Sequence, residues 1–265
     1  MTSFLNSPQR WLVFQNEGLL LLNRNNAMLQ HEEVRRLISS FTRKFSLGVF
    51  DNTEYYCAEL DSKHVLHAAW QAVPLRHALA LMQGEQFGLA VKSSSILNWD
   101  KHHQYCGSCG TKTLHPKQEF ERVCPQCQLS FFPRISPSVI VRIRKDDQIL
   151  MARSPHFPVG VFGLIAGFVD SGESLEETVH REVKEEVGIN LKNVTYFNSQ
   201  PWPFPDSLMV AFTADYDSGE IVIDNNEISE AAWYRYDQLP GLPSMQYSIA
   251  FTLIHDFIAD CAQEL

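Results

Sequence analysis

GFVDSGESLEETVHREVKEEVGI, residues 167–189, sets seven carboxylates against two permanent cations, Arg181 and Lys184. Five units of the chain's formal net charge of −9 therefore sit in 23 residues. Ser174-Leu-Glu-Glu177 has the spacing of a capping box, serine at the N-cap and glutamate three residues on. Gly188 is placed to end the helix, so the spacing predicts a helix over 175–187. On it Leu175, Val179, Val183 and Val187 recur every fourth residue and form the stripe to be buried. Glu182, Glu185 and Glu186 stand at i, i+3 and i+4, which puts their carboxylates on one face beside that stripe. A solvated acidic face is the ordinary reading of such a run. It would interleave bases with the acids, however, whereas these three acids repel one another. Like charges so placed are tolerated when a cation sits among them. A hard divalent ion such as Mg²⁺ or Mn²⁺ takes oxygen ligands and keeps positions for water or phosphate.

The text on either side reads mostly as strands. SVIVRIRKDDQILMARS (138–154) reads as two strands joined by an Asp-Asp turn. VTYFNSQPW (194–202), SLMVAFTADYDS (207–218) and AAWYRYDQLP (231–240) are strand-like, and a closing helix is expected within 247–263. Helices between mostly β segments imply a mixed α/β or α+β domain. Upstream, WLVFQNEGLLLLN (11–23) reads as two short strands around an Asn-Glu-Gly turn. LGVF (47–50) and EYYCAEL (54–60) are further strand-like runs, and residues 67–101 read as more helical. No catalytic motif and no internal repeat is evident there.

With 265 residues, 45% hydrophobic and 20% charged, the chain can bury a sizeable core and suggests two domains, with one or three also compatible. Its acidic balance argues against sequence-independent binding to a phosphate backbone. A nucleotide remains a possible ligand if a metal ion offsets its charge. The N-terminal apolar runs are short and interrupted by Gln15, Asn16 and Glu17, with no basic leader or cleavage site. No membrane segment is expected, and the chain is read as cytoplasmic.

Four of the six cysteines form two C-x-x-C knuckles, Cys106-Gly-Ser-Cys109 and Cys124-Pro-Gln-Cys127, fourteen residues apart. Two such turns facing each other make a tetrahedral sulfur site suited to zinc. Gly107, Gly110 and Pro125 fit the sharp turns. Four protein ligands leave no open position, so the expected role is structural. His102 and His103 are read as surface residues, and Cys57 and Cys261 as small buried hydrophobes. A nucleic-acid-binding ribbon would need more basic residues than the dispersed Lys101, Lys112, Lys117 and Arg122. The ribbon reads instead as a brace or as a wall of a site.

Gly167, five residues, Glu173, seven residues, then Arg181-Glu-Val-Lys-Glu-Glu-Val-Gly-Ile189 resembles the complete Nudix box. That resemblance implies hydrolysis of a nucleoside diphosphate linked to another moiety, on an α/β/α sandwich. It implies that Gly167 and Gly172 shape a loop and that Arg181 pairs with Glu173. Ten residues past the box, SQPWPFPDS (199–207) holds three alternating prolines that stiffen the backbone around Trp202 and Phe204. Alone it reads as a rigid loop tucking aromatics into a core. Beside the box it resembles the signature of the NADH pyrophosphatase branch, for which an upstream zinc ribbon is also typical. The fold expected is α+β: an N-terminal mixed α/β domain (1–100), the zinc ribbon (101–133) and a C-terminal Nudix domain (134–265).

The resemblance implies cleavage of the pyrophosphate of NAD(H) to NMN(H) and AMP. It extends to RNA bearing a 5′ NAD cap, leaving a 5′-monophosphate. A Nudix hydrolase acting on ADP-ribose, dinucleoside polyphosphates or damaged nucleoside triphosphates is the alternative enzyme. An inactive Nudix domain in a zinc-ribbon binding module is the alternative class, opposed by the full set of carboxylates. Glu182 and Glu186 are the principal Mg²⁺ or Mn²⁺ ligands expected, and resemblance adds the Ala166 carbonyl and Glu227. The general base is left open among Glu185, Glu186 and Glu227; His156 is a further alternative, whose ordinary reading is a surface histidine. Flat side chains suit the bases: Phe168, and Phe132 where the family usually has tyrosine. Gln200, Pro201, Trp202, Pro203, Phe204, Pro205, Asp206 and Ser207 form another expected wall. Glu119, Ala250 and Arg76 are carried over by position. The resemblance also implies a homodimer.

Overall fold

A computed structural model describes residues 8–16, 18–82, 84–116, 120–243 and 245–263. Its contacts gather into two units, Met1–Arg134 and Ile135–Leu265. In the first, the strands are β1 (Gln9–Gln15), β2 (Leu19–Asn23), β3 (Leu29–Gln30), β4 (Phe41–Phe50), β5 (Thr53–Leu60) and β6 (Trp70–Pro74). Its helices are α1 (His31–Val34), α2 (Leu75–Ala80) and α3 (Glu85–His102), followed by the small ribbon pair β7 (Arg122–Val123) and β8 (Ser130–Phe131). The second unit runs β9 (Ser136–Lys145), β10 (Gln148–Arg153), β11 (Ile165–Phe168), α4 (Leu175–Val187), β12 (Asn190–Trp202), β13 (Ser207–Ser218), β14 (Glu230–Arg235) and α5 (Ile249–Gln263).

The period-two alternation of its strands decides the layering of the second unit. Val139, Val141 and Ile143 of β9 join Leu150 and Ala152 of β10 and Val210 and Phe212 of β13. Together they pack on Val179, Val183 and Val187, the stripe read from the sequence of α4. The intervening residues point the other way. Ile140 and Ala211 pack with Ile249 and Leu253 of α5, and Ile149 and Met151 with Ile254 and Phe257. Both faces of the sheet are therefore covered, giving the expected α/β/α sandwich. Strand order is β12-β13-β9-β10-β14, with β11 beside β9 and with β13 and β9 parallel.

The first unit repeats this topology. Its order is β4-β5-β1-β2-β6, with β3 beside β1 and with β1 and β5 parallel. Each strand β1–β6 thus has a counterpart eight strands later, joined in the same sequence. What differs is the helix after the third strand: four residues in α1 against thirteen in α4. No repeat was visible in the text because topology is kept by alternation and turns, which many sequences satisfy. The text of 67–74 reads as helical, yet Trp70–Pro74 is strand β6. Pairing with Leu19–Asn23 overrides its alanine-rich local preference.

Within the first unit the ribbon is anchored by buried charge. Arg122 donates to both the side chain and carbonyl of Thr113, at 2.8 and 3.2 Å. Its guanidinium also pairs with Asp100 of α3, which accepts from Arg43 of β4 at 3.0 Å. Arg122 is therefore a buried tie rather than one of the solvent-facing bases counted from sequence.

Candidate functional site

The box folds as the sequence spacing requires. Ser174 Oγ accepts the Glu177 N–H at 3.3 Å, and Glu177 Oε2 accepts the Ser174 N–H at 2.8 Å. The helix ends at Gly188, whose φ of +76° is left-handed. Arg181 locks the preceding loop to the helix: it donates to both Glu173 carboxylate oxygens at 2.6 and 2.9 Å and to the Phe168 carbonyl at 3.0 Å. The guanidinium beside Glu173 pulls that carboxyl down to about 2. The same Arg181 donates to Glu182 at 3.0 Å and to Glu185 at 2.9 Å.

The three helical acids divide. Glu182 and Glu186 are buried beside the valine stripe, whereas Glu185 is exposed and bound to Arg181, four residues before it. Glu227 completes the inner set: Glu182, Glu186 and Glu227 bring carboxylate oxygens within 4.8 Å of one another. Glu227 reaches this place through backbone bonds. The last carbonyls of a helix lack intrahelical partners, and here Glu186 and Val187 accept the N–H groups of Asp224 and Val222, each at 3.0 Å. Asp224 in turn accepts from the Glu227 N–H at 3.1 Å, which closes the turn that carries Glu227.

β11 forms the floor. A Cβ placed on Gly167 would lie 2.0 Å from Glu182 Cδ, so only glycine lets the strand approach this carboxylate. Beside the acids opens a cleft of about 330 Å³, lined by Ala166, Glu186 and Glu227 together with His156, Phe157 and Asn226. Burial, followed by the charges of Glu182 and Glu227, pushes the Glu186 carboxyl up to about 8. Burial likewise raises Glu182. Buried acids left to repel one another, offering only oxygen donors, fit a hard divalent cation.

The four ribbon cysteines also converge, all four sulfurs within 4.8 Å of one another. Sγ–Sγ separations are 3.4 Å for Cys106–Cys127, 3.5 Å for Cys109–Cys124 and 3.7 Å for Cys109–Cys127. A tetrahedron with arms of about 2.3 Å has edges of about 3.8 Å, so the set fits zinc. Gly110 and Gln128 take the same left-handed position after their knuckles, at φ +73° and +59°. His103 turns its ring nitrogen to the Trp99 carbonyl at 2.8 Å, away from a ligand role.

The remaining sequence-derived residues are spread more widely. Phe168 ends β11 with its ring exposed. Pro201 and Trp202 are the last residues of β12, paired with Leu208 and Ser207. Pro203, Phe204, Pro205 and Asp206 make the hairpin turn. SQPWPFPDS is thus a hairpin tip rather than a free loop, and of its three prolines Pro201 lies on β12, an edge strand, the place in a sheet where proline is accommodated. Gln200 is committed to the fold: its amide donates to the Tyr247 carbonyl and accepts from the first N–H of α5, both at 2.8 Å. Asp206 accepts from Ser136 Oγ at 3.1 Å, Ser207 is buried, and Ala250 is half-buried in α5. Phe132 is exposed in the first unit, and so is Arg76 in the first turn of α2. Glu119 lies outside the described residues.

Three family descriptions match successive segments. Residues 8–99 match "NADH pyrophosphatase-like rudimentary NUDIX domain", 101–132 match "NADH pyrophosphatase zinc ribbon domain" and 133–257 match "NUDIX domain". The chain is 41% identical to the NAD-capped RNA hydrolase NudC of Chromobacterium violaceum, over 93% of this chain and 91% of that protein. The chain belongs to the Nudix family, in its NADH pyrophosphatase branch. It is also 41% identical to NudC of Pseudomonas aeruginosa, over 94% of this chain and 89% of that protein. With NudC of Escherichia coli O1:K1 / APEC it shares 40% identity, over 96% and 95% of the two chains.

As a Nudix protein the chain depends on Mg²⁺ or Mn²⁺ for catalysis, and its ribbon holds a structural Zn²⁺. The "rudimentary NUDIX" description of 8–99 agrees with the repeated strand order and the shrunken α1. Sequence reasoning missed Asp224 and the Asp100–Arg122 tie. Both act through tertiary contacts that no local spacing announces.

Proposed function

We propose that this Nudix protein hydrolyses the pyrophosphate bond of NAD(H), giving NMN(H) and AMP. We propose that it also removes the NAD cap from RNA 5′ ends, leaving a 5′-monophosphate. The observation that carries the reading is the trio of converging Glu182, Glu186 and Glu227 carboxylates, of which Glu186 and Glu227 line a cleft of about 330 Å³. The substrate is narrowed by the relatives, which are named NAD-capped RNA hydrolases across nearly the whole chain.

Glu182, Glu186 and Glu227, with the Ala166 carbonyl, are the residues assigned to hold Mg²⁺ or Mn²⁺. Such an ion supplies charge neutralisation of the diphosphate, activation of water and stabilisation of the leaving phosphate. The chain's own part is to present these oxygens from a braced frame: Arg181 fixes loop and helix, and the α4 carbonyls fix the Glu227 turn. Glu185 and Glu186 are the assigned catalytic acids alongside Glu182. Phe168 and Phe132 offer exposed rings for base stacking. The hairpin residues 200–207 and Ala250 supply a second wall, with Arg76 and Glu119 as further substrate contacts. Gln200 belongs to that wall as the residue pinning β12 to α5.

The organisation assigned is an N-terminal domain of 1–100, a ribbon of 101–133 and a Nudix domain of 134–265, acting as a cytoplasmic homodimer. No helix among the described residues is long and apolar enough to cross a membrane. The test is turnover of NADH, NAD⁺, NAD-capped RNA and ADP-ribose at equal concentration with Mg²⁺ or Mn²⁺. The NAD-containing substrates should be cleaved fastest; a preference for ADP-ribose would overturn the assignment.

A further inference from the structure

A diphosphate offers hydrogen-bond acceptors only, and so do the ionised carboxylates of Glu186 and Glu227 that line the cleft. Cations can satisfy the acidic part of the lining, but oxygens turned elsewhere need donors. Ser154, Pro155, His156 and Phe157 supply another part of that lining. The segment is a closed turn: the Phe157 N–H donates to the Ser154 carbonyl at 3.0 Å and the His156 N–H to Ser154 Oγ at 3.4 Å. The Phe157 ring sits on the backbone of Gly163, where an added Cβ would lie 3.0 Å from the ring. Gly163 in turn bridges to Ala152 at the end of β10. The turn is thereby fixed on the sheet.

The side-chain donors in the lining are the Ser154 hydroxyl, the Asn226 amide and the His156 ring. One Asn226 N–H is held by Asp224 Oδ1 at 2.9 Å, and Ser154 Oγ accepts the His156 N–H at 3.4 Å. Among the described residues, the His156 ring has no hydrogen-bond or ion partner within the chain. We infer that His156 is a substrate-binding residue whose ring N–H donates to a phosphoryl oxygen of the bound diphosphate. The inference rests on the pyrophosphatase reading of this cleft. It assigns His156 to binding rather than to proton abstraction, for which the carboxylates suffice.

His156→Ala and His156→Gln test it, read by steady-state hydrolysis of NADH with Mg²⁺. A calorimetric titration with magnesium methylenediphosphonate, a diphosphate that cannot be hydrolysed, provides a readout independent of turnover. A hydrogen bond to a charged group is worth about tenfold to a hundredfold in affinity. His156→Ala should therefore raise KM and the diphosphonate Kd by about tenfold or more, with kcat changed less than about threefold. His156→Gln, which keeps an N–H donor, should recover most of the loss. Unchanged Kd in His156→Ala overturns the inference, as does a wild-type protein that does not bind the probe. A collapse of kcat at constant KM would also overturn it, by making His156 a base. Probe binding that depends on His156 in a protein unable to cleave NADH would support the inference while sinking the NAD(H) assignment.

Discussion

Gly167 and Glu186 carry the tightest constraints at the scale of single residues. An alanine at 167 would drive its Cβ to within 2.0 Å of Glu182 Cδ, so the carboxylate must leave its place. Displacing a reacting-site group by an ångström costs on the order of a hundredfold in rate. Gly167→Ala should accordingly lose about that much in kcat/KM and bind Mn²⁺ more weakly by titration. Glu186 makes a second prediction, about pH. Its folded carboxyl titrates near 8, raised above the ordinary 4.5 chiefly by burial. The metal-free fold therefore has that residue's full contribution below about 4.5 and loses it progressively as pH rises through about 8. A cation binds the ionised form and relieves the loss. Added Mg²⁺ should raise the melting temperature more at pH 8.5 than at pH 5.5. Equal shifts at the two pH values would show that Glu186 is not the group being relieved.

At the scale of elements, α4 was legible because its signals are local. Serine and glutamate at capping distance, valines every fourth residue and a terminal glycine all lie within one short stretch. Glu227 was not legible from spacing, because its turn is placed by Asp224 and Val222 bonding to the carbonyls at the end of α4. Gly188 joins the two: its φ is +76°, and an added Cβ would lie 3.2 Å from Val222 Cβ. Gly188→Ala should cost about 1 kcal/mol from the left-handed backbone alone, measured by urea unfolding. It should also weaken Mn²⁺ binding by loosening the Glu227 turn; unchanged metal affinity would mean the turn is held without this contact. The 199–207 stretch was half legible. Its prolines announced rigidity, but the register of Pro201 with Leu208 and of Trp202 with Ser207 is a long-range property of β12 and β13. The ribbon was readable as a metal site because ligand spacing alone defines it. Cys124→Ser should abolish stoichiometric zinc in metal analysis and lower the melting temperature by several degrees; a variant that keeps its zinc would contradict a four-sulfur site.

Across the whole molecule, one topology appears twice in one chain with opposite fates. The second unit keeps a thirteen-residue helix bearing Glu182 and Glu186, while the first keeps the strand order and a four-residue α1. The sequence disclosed the copy in the second unit through chemistry, since repelling acids on one helix face have few explanations. It hid the other copy, because alternating strands such as WLVFQ and EYYCAEL specify burial on a sheet without specifying which sheet order they join. The metal cradle is what separates the two copies functionally, and the account depends on it. The most direct measurement is NADH hydrolysis by Glu186→Gln beside the wild-type protein, with Mg²⁺ or Mn²⁺ and with zinc content and melting temperature checked in parallel. The account predicts that wild type releases NMNH and AMP. It predicts that the variant, folded and zinc-loaded, is slower by about a thousandfold or more. Full activity in Glu186→Gln, or no pyrophosphate cleavage by the wild type with either ion, would contradict it.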